Sequence, residues 1–305
     1  MLKSNYLLFS LLAVFALGFS AHAQDDLLAE LEEEQGPTTA YAFATFKGSK
    51  LVNLQSNEIA AKGTHQFMIL HRFGAFNNDY FYNFFGLNGA EVRLTWDYSV
   101  LDWLNVGVGY SSATPRTYEG FLKYKIARQS KGAKNFPVSI TGYSGLFYTS
   151  ERFPNDGIPR NESDRFNYIN ELIIARKFSP NFSMEIVPAI THFNLVDSID
   201  DNNDIFSLGF GARYKFTKQH AISVEYIHPF NPNQFTSSDG TRTNYRGALS
   251  VGVDIETGGH VFQLFFTNSR GVAEPYVFAQ TPGSWLDGDI HFGFNISRQF
   301  GSAKH

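Results

Sequence analysis

Three histidines, His71, His260 and His291, lie in or at the start of segments that read as strands, and imidazoles brought together can ligate a metal or a haem. No HExxH or CxxCH accompanies them, so hydrogen bonding inside or at the rim of a barrel is the preferred reading, and no cofactor is expected. The chain has no cysteine, which removes thiolate ligands, a cysteine nucleophile and disulfides. Asp197, Asp200, Asp201 and Asp204 gather carboxylates in one loop. Their spacing is not that of an EF-hand, and a solvated loop that binds divalent ions weakly at most is expected. A hydrolase would need a nucleophile, a base and an orienting group in reach of one another. His260 with Ser250 or Ser269 could be drawn as such a pair, but no GxSxG supports it, and no enzyme is expected.

A larger set of charges alternates with apolar residues. In residues 90–98, Ala90, Val92, Leu94, Trp96 and Tyr98 share one parity, while Glu91, Arg93, Thr95 and Asp97 share the other. The same period of two recurs over 206–216, 245–256 and 289–297, where a helix would space its apolar residues by three or four. The polar parity carries Glu91, Arg93, Asp97, Glu119, Lys123, Lys125, Arg213, Lys215, Arg246, Asp254 and Glu256, with Glu171, Glu185, Glu225 and Asp289. These are candidates for lining a lumen. Acids and bases are mixed, so they can satisfy one another, and any excess of one sign would tune ion selectivity.

The elements that would position them are strands, about twelve: 64–74, 89–99, 103–111, 117–127, 137–149, 165–177, 182–192, 205–216, 220–229, 244–256, 260–269 and 288–300. A strand of about 10–11 residues rises about 34 Å and, tilted near 45°, covers about 25 Å, the height of an outer-membrane apolar band. Tight links at 100–102, 178–181, 217–219 and 257–259 alternate with longer ones at 75–88, 150–164, 193–204, 230–243 and 270–287. Short periplasmic turns and long outer loops have that rhythm. Two links fit less well: 112–116 is short for an outer loop, and 128–136 is long and basic for a turn.

The expected fold is therefore all-β, a closed antiparallel transmembrane β-barrel whose greasy face meets lipid. A bilayer offers no water to backbone N–H and C=O groups, so a spanning sheet must close on itself. Of the 305 residues only 18% are charged, 16% are aromatic and 31 are Phe, while the net charge of -4 offers no footprint for nucleic acid. Twelve strands enclose less space than the 16–18 of open porins, so a narrow or plugged lumen is expected. The inward glycines Gly107, Gly109, Gly209, Gly211 and Gly252 leave local room, or receive large neighbours.

Lys3, the apolar run from Tyr6 to Phe19 and Ala21-His22-Ala23 read as a signal peptide over residues 1–23. Residues 24–62 form an acidic leader, DDLLAELEEE at 25–34, followed by a stretch that fills the periplasmic mouth or adds a strand; 63–300 is the barrel and 301–305 a tail. Expected partners are outer-membrane lipid and the assembly machinery that reads a final strand ending in an aromatic such as Phe300; the acidic segment reads first as a solvated flexible leader, with docking to a periplasmic partner or plugging of the barrel as the alternatives.

FATFKG (43–48), HRFG (71–74), FFGLN (84–88), DWLNVGVG (102–109), LKYKIARQ (122–129), DIETGGHVFQLFFTNS (254–269) and GDIHFGFNISRQF (288–300) resemble a family of bacterial outer-membrane β-barrel proteins classed as a domain of unknown function. The resemblance implies a barrel in the outer membrane and supplies no substrate or catalytic residue. The expected function is a narrow conduit or binding barrel for a small solute. The alternatives are a structural or partner-docking barrel with a blocked lumen, a haem- or metal-associated barrel, and a barrel enzyme.

Overall fold

The computed structural model describes residues 38–76, 81, 84–87, 89–153, 155, 158–237, 240–257 and 259–301. The signal peptide and the acidic part of the leader lie outside the described residues.

Alternation dictates the secondary structure. The barrel strands in chain order begin with β2 (His65–Ala75), β3 (Ala90–Leu101), β4 (Leu104–Ser111) and β5 (Thr117–Ala127). They continue with β7 (Ser139–Thr149), β8 (Phe166–Lys177), β9 (Phe182–Phe193) and β10 (Asp204–Lys215). β11 (His220–Pro229), β14 (Ala248–Thr257), β15 (His260–Thr267) and β16 (His291–Phe300) complete the set. Each pairs antiparallel with its neighbours in the chain, and β16 closes on β2, for instance Ile296 against Ile69. The remaining strands are short: β1 (Thr39–Tyr41), β6 (Ser130–Gly132), β12 (Gln234–Thr236) and β13 (Arg242–Asn244). β12 and β13 form a hairpin within the link between β11 and β14.

β1 and β6 form a small antiparallel sheet of their own, in which Thr39 faces Gly132. The link that looked too long and too basic for a turn thus carries a strand.

The faces are inverted relative to a soluble barrel. On β3, Glu91, Arg93, Thr95, Asp97 and Ser99 are buried, whereas Leu94, Trp96, Tyr98 and Val100 are exposed. On β10, Ser207, Gly209, Gly211 and Arg213 point in, and Phe206, Leu208, Phe210 and Tyr214 point out. The strand starts of β2 and ends of β16 define one mouth, called the near mouth, which also holds the tight links; the long loops lie at the far mouth. Outward aromatics flank both mouths: Tyr98, Trp103, Phe178, Tyr214 and Phe216 near, Tyr118, Phe206, Phe230 and Phe266 far. Val108, Leu122, Ile186, Ile222 and Val253 occupy the band between. An apolar belt with aromatic girdles is the surface a bilayer requires.

Candidate functional site: a lumen filled from both ends

Residues 42–62 run into the lumen. They have no regular structure apart from a bridge between Lys50 and Gln55, and they reverse direction at Leu51-Val52-Asn53-Leu54, where the Leu51 N–H donates to the Leu54 carbonyl at 2.9 Å. A chain without a strand or helix leaves backbone groups that need partners from elsewhere. The wall supplies them. The Glu225 carboxylate on β11 accepts the N–H groups of Val52, Asn53 and Leu54 at 3.1, 2.8 and 3.0 Å. Gln263 of β15 donates to the Leu51 carbonyl, and Asn295 of β16 donates to the Val52 carbonyl at 2.9 Å. Arg72 of β2, the strand next to β16, donates to the Asn53 side chain, and from the other side of the lumen Lys123 of β5 donates to the Ser49 carbonyl at 2.9 Å. Strands on opposite walls hold one peptide hairpin, which spans the lumen.

Packing follows the glycines. A Cβ at Gly209 would lie 2.6 Å from Leu54 Cδ2, and one at Gly211 would lie 2.7 Å from Leu51 Cδ2. At these two positions the missing side chain is a seat for the inserted segment. Gly107 and Gly109 instead receive wall side chains, Phe121 and Glu119. Leu51 and Leu54 join Phe46, Tyr143, Phe147, Ile169, Ile173 and Val187 in an apolar cluster inside the barrel.

The far mouth is filled by the loop between β15 and β16. It carries a short helix, α1 (Glu274–Ala279), every residue of which is buried, with Pro275 in the first turn where its missing N–H costs nothing. Ser207 of β10 donates to the Phe278 carbonyl at 3.0 Å, and Asn167 of β8 donates to the Tyr276 hydroxyl at 3.1 Å.

The two fillings meet. Lys50 Nζ lies 2.6 Å from Glu274 Oε1, and Gln55 Nε2 donates to the same oxygen at 2.8 Å. Arg93 Nη2 lies 2.6 Å from Glu274 Oε2 and 2.9 Å from Glu119 Oε1. Burial raises the Glu274 pKa, but the Arg93 and Lys50 charges and their hydrogen bonds outweigh it and hold the carboxyl well below the usual range. A second cluster near the near mouth joins Arg213 to Asp254 at 2.7 Å and to Glu256, which also meets Lys215 at 3.3 Å and Lys47 at 3.7 Å.

Of the lining candidates, Glu91, Arg93, Asp97, Glu119, Lys123, Arg213, Asp254 and Glu256 are buried on the inner face, and Lys125 and Lys215 are half-buried there. Arg246 is a correction. It precedes β14, lies exposed and pairs with Asp287 at 2.9 Å, because the strand begins at Ala248 and parity has no meaning before it. Asp289 likewise precedes β16 and accepts the Ser284 N–H at 3.0 Å. Glu171, Glu185 and Glu225 point inward and are buried.

The histidines are not brought together. His71 faces outward, stacked on Phe294 with ring centroids 4.8 Å apart. His260 also faces outward, against Phe262 beside the tight β14–β15 link, while His291 points inward near the far mouth with Nδ1 2.9 Å from the Phe73 carbonyl. His260 pairs with Arg298 at the near end of β16, far from Ser250 and Ser269, so the drawn histidine–serine pair does not exist. Among the described residues, no group of three or more His, Asp or Glu could hold a metal ion. In the acidic loop, Asp204 meets His192 at 2.7 Å and Asp201 meets Arg242 at 3.8 Å.

Sequence reasoning missed Arg72, Lys50 and Glu274. Arg72 shares its inner face with Met68 and Leu70, so both parities of β2 are partly apolar and the faces look alike. Lys50 and Glu274 lie outside barrel strands, where no period places a side chain.

No curated relative matches the sequence. Among solved structures, the chain is similar to the COG4313 outer membrane channel from Pseudomonas putida F1, at 11% identity over 80% of this chain and 97% of that one, with a TM-score of 0.49. It is similar to the NanC porin at 8% identity over 78% of this chain and 100% of that one (TM-score 0.46), and to the KdgM porin at 11% over 78% and 99% (TM-score 0.45). Residues 46–300, which run from the inserted segment to the last barrel strand, match the family described as "Membrane bound beta barrel domain (DUF5777)". With its closed sheet, apolar exterior and polar interior, this chain belongs to that family and is an outer-membrane-type barrel.

Proposed function

We propose that the protein is a gated conduit for small solutes in a bacterial outer membrane, closed in the state described, with residues 42–62 as the gate and the near mouth in the periplasm. The observation that carries this reading is the way the gate is held: an irregular segment, bonded through side chains of a complete barrel, with its leucines in glycine seats. The barrel closes through its own strand pairs, none of which includes residues 42–62. A cavity of about 330 Å³ beside the segment, lined by Gln66, Asp97, Asn105 and Lys123, reaches as deep as Arg93 and supports a path along the β2–β5 wall. The acidic leader precedes the gate, and a periplasmic partner bound there would be placed to withdraw it.

The filled lumen itself favours a second reading, a structural or docking barrel that never opens. Planar-bilayer conductance separates the two. Full-length L51N/L54N weakens the seating of the gate, and Val52→Cys in this cysteine-free chain reports withdrawal by maleimide labelling. Labelled barrels that conduct, against a near-silent parent, support the conduit. Labelled, folded barrels without current establish the closed barrel instead.

A further inference from the structure

Among the described residues, the ion pairs and hydrogen bonds of the lumen leave out two wall carboxyls, and both lie under the gate. Glu119 is paired with Arg93, Asp254 and Glu256 are paired with Arg213, and Glu91 meets Arg270 at 2.6 Å. Two other carboxyls are not paired. Glu171 on β8 and Glu185 on β9 are 4% and 1% exposed, and among the described residues none of their four carboxyl oxygens has a hydrogen-bond partner. Glu171 lies between Ile169 and Ile173 on the inner face of β8, among the apolar residues that pack against Phe46, Leu51 and Leu54 of the gate. Glu185 is in register with Gly211, whose other neighbour in the same row is Glu225. The seat of Leu51 is thus flanked by two carboxyl-bearing positions, and Glu225 is occupied by gate N–H groups only while the gate is in place.

Two of the bases uncovered by withdrawal have wall acids close by. Arg72, which loses Asn53, sits directly across from Glu91. Lys123, which loses Ser49, is in register with Asn105, the donor to Asp97. Glu171 and Glu185 have no such base on their own or the next strand, since the inward bases of β8 to β10 are Lys177, Arg213 and Lys215, all toward the near mouth; the wall base whose charge reaches both is Lys123 of β5, and it bonds neither.

We propose that the open lumen selects cations, and that Glu171 and Glu185 are its selectivity carboxylates, suited to potassium-like ions and small solutes bearing an ammonium group. This rests on the gated-conduit reading. A buried carboxyl without a partner is unfavourable, and it becomes favourable once water and cations reach it. Carboxylates projecting into a narrow aqueous passage attract counter-ions and exclude anions. In the closed state Leu51 occupies the place at Gly211 that a cation would take between Glu185 and Glu225.

The test uses full-length L51N/L54N in planar bilayers under a potassium chloride gradient, with Val52→Cys labelling to identify open barrels. A reversal potential of the sign for potassium over chloride is expected. Adding E171Q/E185Q should move it toward zero while current persists, and each single substitution should move it part of the way. Because neither carboxyl has a partner to lose, folding should survive, which heat-dependent migration in detergent gels checks. Current that is anion-selective or unselective, or a potential indifferent to both substitutions, overturns the inference and leaves the conduit standing. Absence of current in labelled barrels overturns the conduit reading and this inference with it.

Discussion

Lys50 and Glu274 are 224 residues apart in the chain and 2.6 Å apart in the lumen. Through this pair the segment that fills the near mouth touches the loop that fills the far one, and Arg93 ties both to the wall. The lumen is obstructed by one connected body rather than by two independent plugs.

Glu274→Gln is therefore expected to loosen both halves. Lys50 would keep neutral partners only and Arg93 would keep Glu119 as its one charged partner, and removing one member of a buried charge pair costs about 3–5 kcal/mol. Maleimide labelling of Val52→Cys should accelerate in this variant, although residue 52 sits in the hairpin tip and is not a member of the Lys50–Glu274 pair. Unchanged labelling would mean that the two segments open separately.

Glu225→Gln tests the anchor of the hairpin tip. An amide cannot offer two carboxylate oxygens to three N–H groups, and hydrogen bonds to a charged group contribute about 1.5–3 kcal/mol. Amide hydrogen exchange at Val52, Asn53 and Leu54 should speed up, while exchange in β3 and β10 stays slow.

Gly211→Val fills the seat of Leu51. Overpacking of this kind costs about 1–3 kcal/mol, and here it falls on Leu51 of the gate, with the Glu185 side chain next in reach, rather than on the strand ladder, because the added methyls point into the lumen. The variant should fold into a heat-modifiable barrel yet show raised conductance. Gly120→Val on the outer face of β5 is the control, since nothing lies within 4 Å of a Cβ there and its backbone is ordinary strand.

The lipid face can be checked by depth. Val224 sits mid-strand on the outer face of β11, and an arginine there should cost about 2–4 kcal/mol, against about 0–1 for Phe216→Arg at the near girdle. Urea titration of folding into lipid vesicles measures the difference. Equal costs at the two positions would contradict the membrane belt.

The alternation of Glu91, Arg93 and Asp97 with Leu94, Trp96 and Tyr98 was enough to determine strands with two unlike faces, because side-chain direction in a strand depends only on neighbours in the chain, while strand length, aromatic content and the rhythm of the links added the closed sheet with its apolar face to lipid. The period also placed Glu171 and Glu185 inward. It carried no information about Lys50 or Glu274, which sit in segments without a period, nor about which of Gly107 and Gly211 receives a wall side chain and which a foreign leucine. Those outcomes depend on what else enters the same volume, and volume is shared only after the sheet has closed. The composition of residues 42–62 is compatible with a leader outside the barrel. Their place in the lumen was decided by a cavity with Glu225, Gln263 and Asn295 projecting into it, groups contributed by strands that meet only in the finished barrel.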